Sequence, residues 1–277
     1  MIGGKNVSQQ EADFINTCYP IVRIEKYKNN CYKLVRKSVL QDCYLPEERG
    51  KIVSFSKKSL ANLIFTINAT DVEFNSMITL TYPNEFPANG ASVKEDLRVY
   101  LQWIQRRYNT ETLWFLEFQK RGAPHFHILT QVGELTPSMR VDAGMCWVRR
   151  IIQADWFLAC FRKYSNGKEI EFDYQKYKTE VMKIANVNIH ETFWELAKNK
   201  NGMRNYAAKY ASKMYQKEVP KSYNEVGKFW GKSQGVDLNP LVTYDACEED
   251  VRNWLENSDH KTQDWDVLPK LLFNVRV

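Results

Sequence analysis

The sequence predicts an α+β fold with an antiparallel sheet, because one strand, one helix and two further strands follow each other along the chain. Residues 74–82 form an apolar, β-branched and aromatic run that Pro83 stops, as expected of a strand. Residues 92–107 carry apolar side chains at helical spacing, and 113–119 and 125–131 have the composition of two strands. The order strand, helix, strand, strand is typical of an α+β domain.

Local signals support the helix and the turn between the later strands. Ser92 and Glu95 have the spacing of a capping box, which predicts that the helix begins there. Residues 120–124 read Lys-Arg-Gly-Ala-Pro and supply a short turn. The apolar stripe of the helix is made of Leu97, Tyr100, Leu101, Ile104 and Tyr108.

The N-terminal part of the chain is predicted to be an accessory segment, residues 1–52. Residues 19–27 and 31–35 alternate loosely around Lys-Asn-Asn and predict a hairpin. A short helix capped by Ser56 is predicted to end at Ile67. The main domain is predicted to span residues 53–236.

Residues 133–200 are predicted to be a helical insertion in that domain. The apolar content favours helices over 147–164 and 173–184, and residues 186–190 are assigned a strand. Residues 202–217 then form an amphipathic helix. Its apolar stripe consists of Met203, Tyr206, Ala207, Tyr210, Ala211 and Met214.

The charge is unevenly distributed along the 277 residues. With 39 basic and 33 acidic residues the formal net charge is +6. Residues 237–277 hold nine acids and four bases, a net charge of −5, so the remainder carries +11. A basic body with an acidic tail suits a polyanionic partner, and nucleic acid is the commonest such partner.

Composition also argues against several classes of protein. No stretch approaches the roughly 18 consecutive apolar residues of a membrane helix, and the N-terminus lacks the apolar core of a secretion signal. The six cysteines form no Cys-x-x-Cys pair, so neither a zinc ribbon nor a disulfide framework is indicated. We therefore expect an intracellular protein that does not contact a membrane.

The first group of residues with chemical potential is His125-Phe126-His127 on a predicted strand. The two-residue period of a strand points both imidazoles to one face. Glu117 interrupts the apolar run of the preceding strand, and folding the hairpin brings it close to the histidines. Two imidazoles and a carboxylate are suitable ligands for Mn²⁺ or Mg²⁺, although such histidines are also often merely hydrogen-bonded.

The second group lies on the predicted helix 202–217. Tyr206 and Tyr210 are four residues apart and share a helical face, and Lys209 and Lys213 each follow one tyrosine by three residues. A tyrosine pair on an apolar stripe is normally part of a core. Here, however, lysines at the margin of the stripe are costly to bury without an anion, and residues 201–232 hold seven bases against two acids.

Together these segments resemble the three ordered motifs of HUH endonucleases, the rolling-circle replication initiators of small single-stranded DNA phages and plasmids. The motifs are Met77–Pro83 (Met-Ile-Thr-Leu-Thr-Tyr-Pro), Pro124–Ile128 (Pro-His-Phe-His-Ile) and Tyr206-x-x-Lys-Tyr-x-x-Lys213. Gly227–Gly231 (Gly-Lys-Phe-Trp-Gly) also resembles a Gly-Arg-Phe-Trp-Gly segment of such proteins. The resemblance implies an RRM-like, roughly five-stranded antiparallel sheet backed by helices.

The resemblance also implies a nick-and-ligate reaction on single-stranded origin DNA, which would form a hairpin. His125, His127 and Glu117 would hold the divalent metal, and Tyr206 or Tyr210 would attack the phosphate, leaving a 5′-phosphotyrosyl bond and a free 3′-OH. Lys209 or Lys213 would assist. The DNA contacts are assigned to basic residues, namely Arg121, Arg204, Lys217 and Lys228.

The expected setting is the cytoplasm of a bacterial host cell. No Gly-x-x-x-x-Gly-Lys-Ser/Thr loop is present in the sequence. A host helicase would therefore unwind the duplex, and a host DNA polymerase would extend the 3′-OH. Two alternatives remain open from the sequence: a transposase with the same chemistry, and a non-catalytic module that binds single strands by stacking.

Overall fold

The computed structural model describes residues 21–36, 52, 54–188, 193–197, 218–221, 223, 226–256 and 273–276. The helices in these ranges are α1 (Lys57–Ala69), α2 (Gly90–Tyr108), α3 (Pro137–Ile152), α4 (Asp155–Ala159), α5 (Tyr174–Asn188) and α6 (Glu248–Glu256). The strands are β1 (Ile21–Lys26), β2 (Cys31–Arg36), β3 (Ser76–Thr81), β4 (Thr112–Phe118), β5 (Pro124–Thr130), β6 (Arg162–Ser165), β7 (Lys168–Phe172), β8 (Trp194–Leu196), β9 (Trp230–Lys232), β10 (Val242–Cys247) and β11 (Phe273–Arg276).

The chain divides into two compact units. The first contains both ends of the chain, residues 1–49 and 238–277, together with 65–71. The second contains residues 50–64 and 72–237. The predicted division into residues 1–52, 53–236 and 237–277 stays a prediction.

The second unit is built on a five-stranded antiparallel sheet in the order β8-β3-β5-β4-β9. The α+β class and the antiparallel sheet are therefore confirmed, and the predicted strand ends are correct to within two residues. Within β4 and β5 every side chain is buried except Trp114 and His125, which are half-buried. A sheet that is buried on both faces must satisfy each polar side chain within the protein.

The helix after β3 begins earlier than the capping box predicts. The N-cap is Asn89, whose side-chain oxygen accepts a hydrogen bond from the backbone N–H of Ser92 at 2.8 Å. Ser92 therefore lies in the first turn, and the helix continues to Tyr108. The Asx cap wins because Asn89 reaches the free N–H groups of that turn.

The predicted helix over 147–164 is wrong. Thr136 caps α3, which ends at Ile152, and a short helix and a hairpin follow. The hairpin turn is Asn166-Gly167, with φ of 51° and 75° at these residues. Both residues need positive φ in a tight hairpin turn, and Asn-Gly is a strong sequence signal for one. The helical insertion thus also contains a β-hairpin.

Residues 173–184 are helical as predicted, within α5, but the strand predicted over 186–190 is wrong where the structure describes it. Residues 186–188 form the last turn of α5, and 189–190 lie outside the described residues. The predicted helix 202–217 also lies outside them.

The first unit contains a four-stranded sheet in the order β10-β1-β2-β11. The predicted N-terminal hairpin is confirmed as β1 and β2, which pair antiparallel. Val22, Ile24 and Leu34 are buried in a small core with Val251 of α6. Strands of the acidic tail pair with both edges of this hairpin.

The predicted helix from Ser56 to Ile67 is confirmed as α1, and the hydroxyl of Ser56 accepts a hydrogen bond from the N–H of Ser59 at 3.2 Å. None of the helices in the described ranges combines the length and apolarity that a bilayer span requires.

Candidate functional site

The strand register of the second unit places three polar residues side by side. His125 on the central strand β5 is paired with Thr81 on β3 and with Glu117 on β4. Directly paired residues share one face of a sheet. His127 lies two positions further along the same face, opposite Thr79 and Phe115. The structure therefore brings together the three predicted metal ligands.

His127 and Glu117 form a buried pair. The Nε2 atom of His127 lies 3.2 Å from Oε2 of Glu117, and each residue is only 3% exposed. The imidazole stacks on the ring of Phe115, with ring centroids 4.9 Å apart and an interplanar angle of 28°. Packing and pairing together hold the His127 ring in one orientation.

His125 is held differently, and it is half-buried. Its Nδ1 atom lies 2.9 Å from the hydroxyl oxygen of Thr81. Its ring meets that of His127 edge to face, with centroids 4.7 Å apart. A hydrogen bond at Nδ1 selects the ring tautomer that carries its lone pair on Nε2, which is the arrangement found around metal-ligating histidines.

The fit of these residues to a metal rests on the buried pair. No group of three or more His, Cys, Asp or Glu side chains converges as a metal site within the described residues. The 3.2 Å between Nε2 of His127 and Oε2 of Glu117 is, however, close to the roughly 3 Å that separates adjacent ligands of one ion at metal–ligand distances of about 2.1 Å. Nitrogen and carboxylate donors also suit a divalent ion. The donor set therefore fits such an ion.

A second polar network anchors the end of β3 next to the site. The carboxylate of Asp96 is 1% exposed and accepts hydrogen bonds from Tyr82 Oη at 3.0 Å, Arg150 Nε at 2.8 Å and Trp156 Nε1 at 3.2 Å. Burial raises the pKa of the Tyr82 phenol well above its usual value, so Tyr82 stays a neutral donor. This network joins α2 and α3 to the residue that follows Thr81.

Arg121 lies in the β4–β5 turn, where Gly122 has φ of +82°, a conformation that favours glycine. Its guanidinium donates hydrogen bonds to the carbonyl oxygens of Tyr82 and Pro83 and to the side-chain oxygen of Gln119. Burial lowers its pKa. Arg121 thus ties the turn to the end of β3, and its predicted DNA contact stays a prediction.

Lys228 is exposed, and its carbonyl oxygen accepts a hydrogen bond from Nζ of Lys94 at 2.5 Å. The following Phe229 is buried. A Cβ atom on Gly231 would come within 2.8 Å of Nε1 of Trp114, so this close approach of β9 to β4 requires glycine. The segment 227–231 therefore packs against the sheet, with the side chain of Lys228 at the surface.

The predicted nucleophiles Tyr206 and Tyr210 lie outside the described residues, as do Lys209 and Lys213. The same holds for the predicted DNA contacts Arg204 and Lys217.

Sequence reasoning missed Thr81 and Asp96. Thr81 belongs to a motif that was recognised, yet its role depends on which strand pairs with β3. Asp96 is one of several charged residues on α2, and only its burial sets it apart. For Thr81 the alternation with Thr79 on β3 was the available signal.

Comparison with known proteins adds an independent finding. Residues 75–218 match the family model for replication-associated proteins of the ORF2 and gene II protein type. The match covers more than half of the chain, and the chain belongs to this family. It is therefore a replication-associated protein. No curated protein and no solved structure gives a significant match.

Proposed function

We propose that this protein initiates rolling-circle replication by nicking single-stranded origin DNA through a tyrosine nucleophile of the HUH two-tyrosine type. The observation that carries the proposal is the side-by-side arrangement of Glu117, His125 and His127 on one face of a family-matched sheet. The tyrosine motif follows these strands within the matched residues.

In the proposed reaction the phenol oxygen of Tyr206 or Tyr210 attacks the scissile phosphorus. A P–O bond to tyrosine forms, the P–O3′ bond breaks, and the 3′ oxygen leaves as a hydroxyl while the phenol loses its proton. Attack by a 3′-OH on the phosphotyrosyl bond reverses these changes and rejoins a strand. The energy of the phosphodiester is retained in the ester, so the reaction requires no ATP.

The tyrosine needs assistance near neutral pH. A free phenol has a pKa of about 10, so only about one in a thousand is ionised at pH 7. Lys209 or Lys213 would stabilise the phenolate and the charge that develops on the phosphate. Glu117, His125 and His127 would hold Mn²⁺ or Mg²⁺, which supplies Lewis-acid polarisation of a phosphate oxygen.

The contacts of each ligand support distinct roles for the two histidines. His127 is buried and fixed by Glu117 and Phe115, as a residue that holds an ion in place should be. His125 is half-buried and oriented by Thr81, so it lies at the accessible side of the same face. We infer that DNA approaches from the side of His125.

The test is a covalent capture experiment. Purified protein is incubated with a random-sequence single-stranded DNA pool in Mn²⁺ or in chelator and run on a denaturing protein gel. Wild type should give a metal-dependent adduct that survives denaturation, and Tyr206→Phe combined with Tyr210→Phe should abolish it. The single variants identify the residue that attacks first.

Tyr244→Phe is a matched control, because Tyr244 is an exposed tyrosine in the other unit. It should form the adduct at the wild-type level. Binding that resists chelator and persists in the double variant, with no adduct from a pool that includes hairpin-forming sequences, would instead indicate a non-catalytic binding module.

A further inference from the structure

A cavity of about 440 Å³ lies beside the candidate site, between the end of β3, the β4–β5 turn and α5. Its lining includes Thr81, the residue whose hydroxyl is hydrogen-bonded to His125. The cavity therefore begins one side chain away from a proposed metal ligand. Its volume lies within the range of roughly 300–1,000 Å³ that is usual for pockets that bind small molecules.

The β4 side of the cavity carries an amide with a defined orientation. Gln119 lies two residues beyond Glu117, about 7 Å along the chain. Its side-chain oxygen accepts a hydrogen bond from Nε of Arg121 at 2.9 Å. Arginine is only a donor, so this contact fixes which end of the amide is oxygen. The other end of the Gln119 amide is the NH₂ group, a donor.

The opposite wall is a single stripe of α5. Glu180, Lys183, Ile184 and Val187 follow one another at helical spacing, and all four line the cavity. Lys183 Nζ donates to Glu180 Oε1 at 2.9 Å, which leaves Arg121 as the excess positive charge among the charged residues of the lining. Ile184 and Val187 add apolar surface. Apolar walls, an amide donor and net positive charge together suit a base attached to a phosphate backbone.

We propose that this cavity holds one base of the single-stranded DNA next to the phosphate that is cut, and that the Gln119 NH₂ group reads an acceptor on the edge of that base. The inference rests on the proposed function, because it takes single-stranded DNA as the substrate. It assigns part of the sequence preference of the protein to Gln119 and the α5 stripe.

The test measures binding without chemistry. Fluorescein-labelled 12-residue homopolymers of dT, dC and dA are titrated with protein in chelator at one fixed salt concentration, and fluorescence anisotropy gives each Kd. Wild type should discriminate between the best and the worst homopolymer by about tenfold, as one specific base contact allows. Gln119→Glu keeps the acceptor for Arg121 and removes only the donor, so this ratio should fall below about twofold.

Val187→Trp probes the cavity by filling it. Val187 is 63% exposed, so the larger side chain does not disturb the core. It should weaken binding of every homopolymer by about tenfold. Val141→Trp is the matched control, because Val141 is a 48% exposed valine on α3 that does not line the cavity. It should bind like wild type.

Equal Kd values for the three homopolymers in wild type, or an unchanged ratio in Gln119→Glu, would overturn the assignment of Gln119. Wild-type binding by Val187→Trp would overturn the assignment of the cavity. These outcomes are independent of nicking. Loss of the tyrosine adduct proposal would leave them standing, and their failure would leave the adduct experiment untouched.

Discussion

The two sheets of this protein treat polar residues in opposite ways. In the five-stranded sheet Glu117 and His127 are each 3% exposed and face each other on the covered side of β4 and β5. In the four-stranded sheet, Arg23 and Asp245 are paired across β1 and β10 at 3.7 Å, with side chains 44% and 43% exposed. Both sheets are antiparallel, so strand geometry does not explain the difference.

The difference lies in what each polar pair costs when its partner is removed. A charge in a covered sheet cannot be solvated and depends on its neighbour, whereas an exposed charge is solvated by water. A buried polar pair therefore persists in a covered sheet only if it is fully partnered or serves a function. The comparison predicts large effects at the first pair and almost none at the second.

The largest effect is expected on activity. His127→Ala, and separately Glu117→Gln, should reduce the yield of the covalent DNA adduct by on the order of a hundredfold or more, because each removes a proposed metal ligand. The measurement is the denaturing-gel assay at saturating Mn²⁺. Arg23→Ala in the other sheet is the control and should leave the yield unchanged. Equal yields in all three variants would refute the metal role of the buried pair.

A large effect on stability is expected at Asp96. Asp96→Ala leaves the guanidinium of Arg150, the phenol of Tyr82 and the indole of Trp156 without their shared acceptor. The free energy of unfolding should fall by about 3–5 kcal/mol, as is usual when one partner of a buried ion pair is removed. Urea titration followed by circular dichroism measures it. A loss below about 1 kcal/mol would show that solvent reaches this network.

A moderate effect is expected from the pH dependence of stability through Lys94. Its Nζ lies 4.4 Å from the ring centroid of Trp114, and desolvation lowers the pKa of Lys94 from 10.5 to about 7. Between these values the unfolded chain binds the additional proton, so this group makes the free energy of unfolding rise as the pH rises from about 7 to about 10. Lys94→Met should flatten that rise. Urea titrations of both proteins at pH 7 and pH 9 make the comparison, and parallel slopes would contradict it.

The smallest effect is expected at the exposed pair. Asp245→Asn removes the charge that faces Arg23 and should change the free energy of unfolding by less than about 1 kcal/mol, with the remaining effect lost in high salt. The same urea titration at low and high ionic strength measures it. A loss as large as that at Asp96 would mean that the two sheets do not differ in the way described.

Much of the core of the second unit was predictable because its signals are local. The apolar run before Pro83, the helical stripe after Ser92 and the two strands around Gly122 each depend on periodicity within a few residues. The start of α2 was misplaced by a stronger cap at Asn89. The helix predicted over 147–164 failed because apolar content was given more weight than the Asn-Gly pair that turns the hairpin after it.

The candidate site divides along the same line. That His125 and His127 share a face follows from the covalent geometry of any strand, so the sequence by itself determined it. That Thr81 orients one imidazole and Glu117 the other depends on strand register, which contacts distant in the chain decide. The burial of Asp96 and the cavity beside Gln119 likewise exist only once α2, α3 and α5 have packed against the sheet. Local periodicity specifies elements and faces, whereas the partners of buried polar groups are chosen only when those elements meet.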